Sequence, residues 1–367
     1  MQRSAPSQCR RRILVQVNVR SVFQRNHALR WIVPTGVVGV AAIIASGVLS
    51  AQAIPDLPPR TAAQLLVDVE NAHVDGLSGT IVAKASLGIP ALPSGAISGN
   101  LLSLLSGSHT ARVWYAGTDK QRFALLDTLS EADVFHNGPD IWTYNSSTHD
   151  ATHMVLPGQS ATQEPPATTP TLTPEQAAEQ ALRAIDPTTI VSTDAARRVA
   201  GRAAYDLVLV PRDPSSRIGS VRIAIDGKTK IPLGVQLYAR GDHSPAVDVA
   251  YTRIRYSVPD MSNFTFTPAK SVKIKEAPFP AVAQQGHHPV TTIGTGWTTV
   301  VRMRVADLGA NGAEMAYLEA LPRVSWAGGS GRLFDSRLVT VLVCDDGRLY
   351  AGPVDKSVLI ADAAARK

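Results

Sequence analysis

Apolar and polar residues alternate with a period of two over most of residues 79–256. Such alternation predicts β-strands that turn one face toward a core, and the turn signals between them favour an antiparallel meander. The predicted strands are Gly79–Ser86, Thr110–Tyr115, Gln121–Leu126, Ala132–His136, Ile141–Tyr144, Thr152–Leu156, Ala204–Val210, Ser220–Ile225, Ile231–Arg240 and Val247–Tyr256.

Two segments carry the start signals of helices. The stretch Thr61–Gln64 fits a capping box, in which a Thr oxygen and a Gln amide satisfy opposite backbone N–H groups, and its helix is predicted to reach about His73. Thr173–Gln176 is a second capping box with proline at the first helical position, and its helix is predicted to end at Ile185.

Charged residues indicate which face of each predicted strand turns outward. If the Arg112 side chain points outward, those of Val113 and Tyr115 point inward, because alternate residues of a strand share a face. The same argument applies to five further predicted strands. In Val247–Tyr256 the alternation slips before Ile254, which predicts a β-bulge. The inward positions that we take as candidate cavity residues are Val113, Tyr115, Phe123, Leu125, Leu207, Leu209, Val221, Ile223, Val235 and Leu237.

A sheet with one apolar face must close on itself or be covered. The two predicted helices do not suffice to cover the apolar face, so the part of the face that stays uncovered predicts an apolar cavity. Trp142 and Tyr144 join the candidate cavity residues, because with Trp114 and Phe123 they lie in neighbouring predicted strands. These aromatic side chains either fill the core or form a wall that holds an acyl chain.

The N-terminal residues have the order of an export signal. Residues 1–30 hold seven arginines and no acidic residue, and Trp31–Ser50 contains no charge. About twenty apolar residues suffice to span a bilayer, and the basic arm places the N-terminus in the cytoplasm. Ala51–Ala53 then fits a peptidase site. The sequence leaves two alternatives, a cleaved signal within residues 31–53 or a retained transmembrane anchor, and both place the rest outside the cytoplasmic membrane.

Three further stretches complete the predicted organisation. Residues 57–268 form the main domain, with a Pro/Thr-rich polar loop at Pro157–Thr173. Residues 269–294 are interpreted as a linker, and 295–367 as a small C-terminal α+β domain or cap. Its predicted elements are strands at Trp297–Val305 and Leu338–Cys344, a turn at Asp345–Arg348, and helices near Ala313–Leu321 and Asp355–Arg366.

The formal net charge of +6 does not indicate a nucleic-acid partner, because the basic surplus is confined to the N-terminal arm. We find no nucleophile elbow, phosphate loop or dinucleotide loop. His149 and His153 are four residues apart but lack a third ligand, so we expect no metal and no cofactor. Cys344 is expected to lie buried in a strand. We therefore expect a binding protein and not an enzyme.

The segment Ile225–Tyr238 (IDGKTKIPLGVQLY) resembles the LolA-like lipoprotein-carrier superfamily, as do Ser106–Ala116, Asp119–Leu125 and Gly219–Ile225. The superfamily includes LolA, the N-terminal domain of RseB/MucB-type regulators and LppX-like lipoproteins, and this chain is similar to actinobacterial membrane-anchored members. The resemblance covers residues 57–268 and, more weakly, the C-terminal part.

The resemblance implies an α+β fold in which a strongly curved antiparallel sheet, an incomplete barrel, is covered by helices as a lid over an apolar cavity. It implies that the protein binds a lipid or lipoprotein acyl chain as a carrier, chaperone or sensor. The alternative is an envelope-stress regulator of the RseB type, whose partner is an anti-sigma factor or another envelope protein. Residues 31–50, if retained, tether the protein and disfavour free transport.

Overall fold

The computed structural model describes residues 56–88, 106–127, 129–156, 187–278, 290–308 and 312–365. The predicted export segment at residues 1–53, the loop at 157–173 and the helix at 173–185 lie outside these ranges. Within the described residues, none of the helices combines the length and the apolarity that crossing a membrane requires. Two antiparallel sheets account for most of the described chain.

The larger sheet is curved and does not close into a barrel. Its spatial order is β12-β6-β5-β4-β3-β2-β1-β11-β10-β9-β8-β7, and all neighbours are antiparallel except β12 and β6. The strands are β1 Leu77–Ser86, β2 Ser106–Tyr115, β3 Lys120–Leu126, β4 Glu131–Asn137, β5 Asp140–Asn145, β6 Asp150–Val155, β7 Thr189–Val199, β8 Arg202–Pro211, β9 Ile218–Asp226, β10 Pro232–Ala239, β11 Pro245–Arg255 and β12 Lys273–Glu276.

The predicted meander is present, and the predicted bulge is confirmed. The β1–β11 register shifts between Thr80 and Ile81, so that Thr252 is the extra residue of β11. Tyr251 and Ile254 consequently pair with Ile81 and Gly79 and lie on one face, as their apolar character requires. The strand β7 was not predicted, because its central residues are exposed and polar.

The first helix, α1 (Ala62–Glu70), begins with the predicted capping box: Gln64 donates its backbone N–H to Thr61 Oγ1, and Thr61 donates to Gln64 Oε1. It ends at Glu70, before the predicted His73, with Asn71 as the C-cap, whose side-chain amide donates to the Val67 carbonyl. Leu65 is fully buried and packs with Tyr205, Leu207 and Ile225. We call the sheet face under α1 the inner face, and the opposite one the outer face.

A segment after β11, residues 256–278, covers part of the outer face. Phe264 is buried, and the Phe266 ring lies 5.2–5.3 Å from the rings of Phe135, Trp142 and Tyr144. The segment ends in β12, which extends the sheet beside β6. Lysines at this short edge discourage pairing with another chain.

The smaller sheet forms the C-terminal unit, and it contains an unpredicted strand in the region interpreted as a linker. Its strands are β13 Thr291–Ile293, β14 Val300–Arg304, β15 Arg323–Trp326, β16 Gly329–Asp335, β17 Thr340–Cys344 and β18 Arg348–Gly352, in the order β13-β14-β18-β17-β16-β15. Helix α2 spans Gly312–Ala320, and α3 spans Lys356–Ala364 and packs on β16, β17 and β18. Three short 3₁₀ helices occupy Met261–Phe264, Gly296–Thr298 and Val305–Leu308.

One predicted strand of this unit is shorter than expected. The chain at Trp297 forms a 3₁₀ turn because Gly294 and Gly296 adopt positive φ angles of 77° and 57°. The indole of Trp297 also donates a 2.7 Å hydrogen bond to Thr189 Oγ1 at the start of β7. The predicted burial of Cys344 in a strand is confirmed, as is the turn before Arg348, where Gly347 has a φ of 84°.

The two sheets contact each other through arginines and a small apolar cluster. Arg217 pairs with Asp335, and Arg337 donates to Asp242 Oδ2 at 2.8 Å and to the Ser86 carbonyl at 2.7 Å. Leu338 is buried with apolar residues at one end of the large sheet. The C-terminal unit therefore abuts the end of the sheet at which β1 finishes.

Candidate binding cleft

A cleft of about 490 Å³ lies on the inner face beside α1. It extends from β1, β2, β3 and β4 across to β10 and β11, and the loop before β1 borders it at Val74. Its size falls within the range of about 300–1,000 Å³ for small-molecule sites. The apolar lining consists mainly of Val74, Leu77, Ile81, Val113, Tyr115, Phe123, Val134, Ile231, Leu233, Val235, Val249 and Tyr251.

Strand register explains why these side chains meet. Residues directly opposite each other in an antiparallel pair point to the same side of the sheet. Val113 pairs with Phe123, and Phe123 pairs with Val134 in the next strand. On the other side of the cleft Val235 pairs with Val249, which in turn pairs with Ala83 of β1. The alternation of the sequence thus collects one apolar surface from six strands.

The absence of a side chain at Gly79 lets the ring of Tyr251 lie against β1. A Cβ atom at position 79 would lie 2.6 Å from Tyr251 Cε1. Burial raises the pKa of the Tyr251 phenol to about 12, so this wall of the cleft carries no charge near neutral pH.

Arg122 borders the cleft in β3, but strand register turns its side chain to the outer face with Trp114 and Phe135, where acidic partners hold it. Its Nε donates to Asp133 Oδ1 at 2.8 Å and its Nη2 to Glu131 Oε1 at 3.1 Å. The guanidinium carbon also lies 4.7 Å from the centre of the Trp114 ring. Burial raises the pKa of Asp133 to about 6 despite this arginine. The cleft therefore offers an apolar surface rather than a free charge.

The structure brings four of the twelve sequence-predicted residues into the cleft: Val113, Tyr115, Phe123 and Val235. Leu207, Leu209 and Ile223 share the inner face but pack in the cluster under α1. Leu125 and Val221 also share this face by register, outside the cleft lining. Leu237 packs beside the buried Leu338 of the C-terminal unit.

Trp142 and Tyr144 lie on the outer face. Register pairs Trp142 with Phe135 and with His153, and its ring stacks on the His153 imidazole at a centroid distance of 4.2 Å. Both aromatic residues pack against Phe266. Asp140, the charged first residue of β5, has the same alternation as both, so applying the charge argument to this strand would have placed them outward.

Several cleft residues were missing from the sequence-based set. Ile81 and Leu77 lie in β1, whose only charged residue is Lys84, so the orientation of its apolar side chains was not assigned. Val74 lies in a loop, where period-two alternation gives no signal. Val249 and Tyr251 were predicted to point inward from their alternation with Asp248, but they were not included among the candidate cavity residues.

His153 connects the sheet edge to the segment that covers the outer face. Its Nε2 lies 2.8 Å from Asp140 Oδ1, and its Nδ1 lies 2.9 Å from Glu276 Oε2 in β12. Hydrogen bonds to Asp140 and then to Glu276 raise the pKa of the imidazole. Across the described ranges, no three side chains of His, Cys, Asp and Glu are arranged to hold a metal ion.

No protein-family profile and no curated protein matches the chain. Solved structures with a similar fold include the MucA/MucB complex of Pseudomonas aeruginosa, at 13% identity and a TM-score of 0.41, covering 82% of this chain and 96% of that chain. A LolA superfamily protein from Nitrosomonas europaea matches at 12% identity and a TM-score of 0.21, covering 57% and 99%.

A DUF1329 family protein from Desulfovibrio piger matches at 12% identity and a TM-score of 0.21, covering 55% of this chain and 96% of that chain. The likeness to all three concerns the fold alone.

Proposed function

We propose that the protein binds the acyl chain of a lipid or lipoprotein in the inner-face cleft, as a carrier, chaperone or sensor, without catalysing a reaction. The observation that carries this proposal is the cleft itself, whose walls are apolar side chains from six strands and whose bordering Arg122 turns its paired guanidinium to the other face. A cleft of this kind suits a ligand that is recognised by its hydrocarbon part.

Binding of such a ligand does not require an ionic contact. Each methylene removed from water contributes about 0.8 kcal/mol, so about ten methylenes contribute roughly 8 kcal/mol before the cost of association. A charged ligand group inside the cleft would instead lose hydration without gaining a free partner. We therefore expect selectivity for chain length and not for a small polar solute.

We place this activity outside the cytoplasmic membrane. The support is the basic arm at residues 1–30, the uncharged run at 31–50 and the small residues before Ile54. In this proposal residues 31–50 either attach the protein to the cytoplasmic membrane or are removed after export. Sequencing the N-terminus of the mature protein separates the two, because a first residue at Ile54 means cleavage.

Binding is tested with the full chain purified from its own membrane. Native mass spectrometry should show a bound lipid, and the delipidated protein should bind a fluorescent fatty-acid analogue at one site. Delipidated, folded protein that binds neither the analogue nor extracted membrane lipid would contradict the proposal.

A second candidate function is the binding of an envelope protein such as an anti-sigma factor. The observation that favours it is β7, an eleven-residue strand that pairs only with β8 within the described part of the sheet. Such an edge can accept an extended peptide as an added strand. Cross-linking in the membrane tests this function. Capture of one protein through β7 at equal stoichiometry, with no lipid in the preparation, would favour it over the first function.

A further inference from the structure

Three arginines form a row across the outer face in the middle of the large sheet. Arg112 of β2 and Arg253 of β11 both lie opposite Thr80 of β1, and Arg255 lies opposite Ser78. All three side chains are exposed. Neighbouring strands are about 4.8 Å apart, so the row spans about 10 Å. We call Arg112, Arg253 and Arg255 the arginine row.

The arginine row does not serve the internal ion pairs of the fold. Within the described residues, none of its guanidinium groups forms an ion pair or a side-chain hydrogen bond, whereas Arg122 and Arg222 on the same face are each held by two carboxylates. Three arginines without acidic partners are therefore available to an external anion.

The acidic residues closest to the row along the chain have other neighbours. Asp248 lies opposite Lys84 in the β1–β11 pair. Asp260 accepts hydrogen bonds from Ser262, with distances of 2.9 Å to its backbone nitrogen and 2.6 Å to its hydroxyl. Asp75 lies 3.6 Å from His73.

Exposed apolar side chains follow the row directly and reach the rim of the cleft. Val258 and Met261 are 53% and 47% exposed. A Cβ atom at Gly76 would lie 2.5 Å from Val258 Cα, so Val258 sits beside the residue that precedes Leu77 in the cleft wall. Cationic and aliphatic side chains thus occur together near the rim of the cleft.

We propose that the arginine row, with Val258 and Met261, docks the protein on an anionic phospholipid bilayer with the rim of the cleft at the headgroups. This inference rests on the proposed acyl-chain binding, since a cleft that takes a chain from a bilayer must approach its surface. Basic residues attract anionic headgroups, and aliphatic side chains beside them enter the interface. An acidic protein would satisfy the arginines but would leave the exposed aliphatic side chains without a hydrocarbon partner.

The test uses the full chain with a polarity-sensitive dye on Val258→Cys, in a Cys9→Ser background in which Cys344 is buried. A dye at this position reports contact at the rim and not vesicle binding by the basic arm. Vesicles of phosphatidylcholine with about one third phosphatidylglycerol should shift the emission to the blue, and pure phosphatidylcholine vesicles should not.

In the triple variant Arg112→Gln, Arg253→Gln, Arg255→Gln the lipid concentration at half-response should rise on the order of 100-fold, since each basic residue near the surface contributes about fivefold. The matched control replaces Arg198, Arg212 and Arg304, which are also exposed, by glutamine. This control has the same change in net charge, and its lipid concentration at half-response should rise by less than about threefold.

Three outcomes would overturn the docking proposal: a triple variant that responds like the parent chain, an equal response to both vesicle types, or a response to polyglutamate but not to vesicles. Binding of the fluorescent fatty acid in vesicle-free buffer is measured in parallel. Its absence in the parent chain contradicts the proposed cleft function, whereas the dye response alone decides the docking surface.

Discussion

Substitution of Val235 by tryptophan is the sharpest test of the cleft. Val235 is half-buried, lines the cleft on β10 and faces Val249 across the strand pair. An indole at this position occupies space within the cleft of about 490 Å³ rather than in the packed core under α1. We expect the variant to fold and to exclude part of the acyl chain.

The magnitude follows from the excluded methylenes. If the indole displaces about three of them, binding weakens by about 2.4 kcal/mol, which corresponds to about a 50-fold increase in Kd. Titration of the delipidated full chain with a fluorescent fatty acid measures this change. Analogues shorter by about three methylenes should lose much less affinity for the variant than the longer chain does.

The matched control is Val290→Trp, since Val290 is an exposed residue of the C-terminal unit. It should bind the fatty acid with unchanged affinity. The reasoning is refuted if Val235→Trp, shown by circular dichroism to be folded, binds the long analogue as tightly as the parent chain.

Three further predictions concern the fold around the cleft. Replacing the fully buried Leu65 by alanine should lower the free energy of unfolding by about 2–5 kcal/mol in urea titrations, and a change below about 1 kcal/mol would contradict the packing of α1 on the sheet. The raised pKa of His153 means that its carboxylate contacts stabilise the fold fully below pH 6.5, the ordinary histidine value, and that this stability is lost as the pH rises through the folded-state pKa. In the variant His153→Gln, stability should therefore fall less than in the parent chain as the pH rises above 6.5, measured by thermal melting at each pH. An unchanged pH profile would speak against it. Burial raises the pKa of the Cys344 thiol to about 11, so a thiol reagent at pH 8 should modify it in the folded protein at least about 100-fold more slowly than in urea, and equal rates would disprove its burial.

The sequence predicts the sheet well where one face is charged and the other is apolar. Arg112 and Arg122 report the inward side of β2 and β3, so Val113 and Phe123 were assigned to the face on which the cleft lies. The capping box at Thr61 likewise fixes the start of α1.

The remaining features depend on contacts that alternation does not encode. Leu207 and Ile223 have the same inward pattern as Val235, but α1 covers the former two and leaves the latter open. Only the path of the helix over the sheet separates core from cleft. Trp142 was predicted to face a cavity and instead packs under Phe266, which lies more than a hundred residues further along the chain.

The central position of β1 has a consequence for folding. Its two neighbours are β2 and β11, and the Thr252 hydroxyl bonds to the Thr80 carbonyl across 172 residues of sequence. A chain that emerges N-terminus first therefore displays β1 to β10 of the large sheet before β11, the second neighbour of β1, exists. Closing such a long-range pair is slow, and exposed strand edges invite aggregation meanwhile. We expect the nascent chain to depend on a holding chaperone until β11 has appeared.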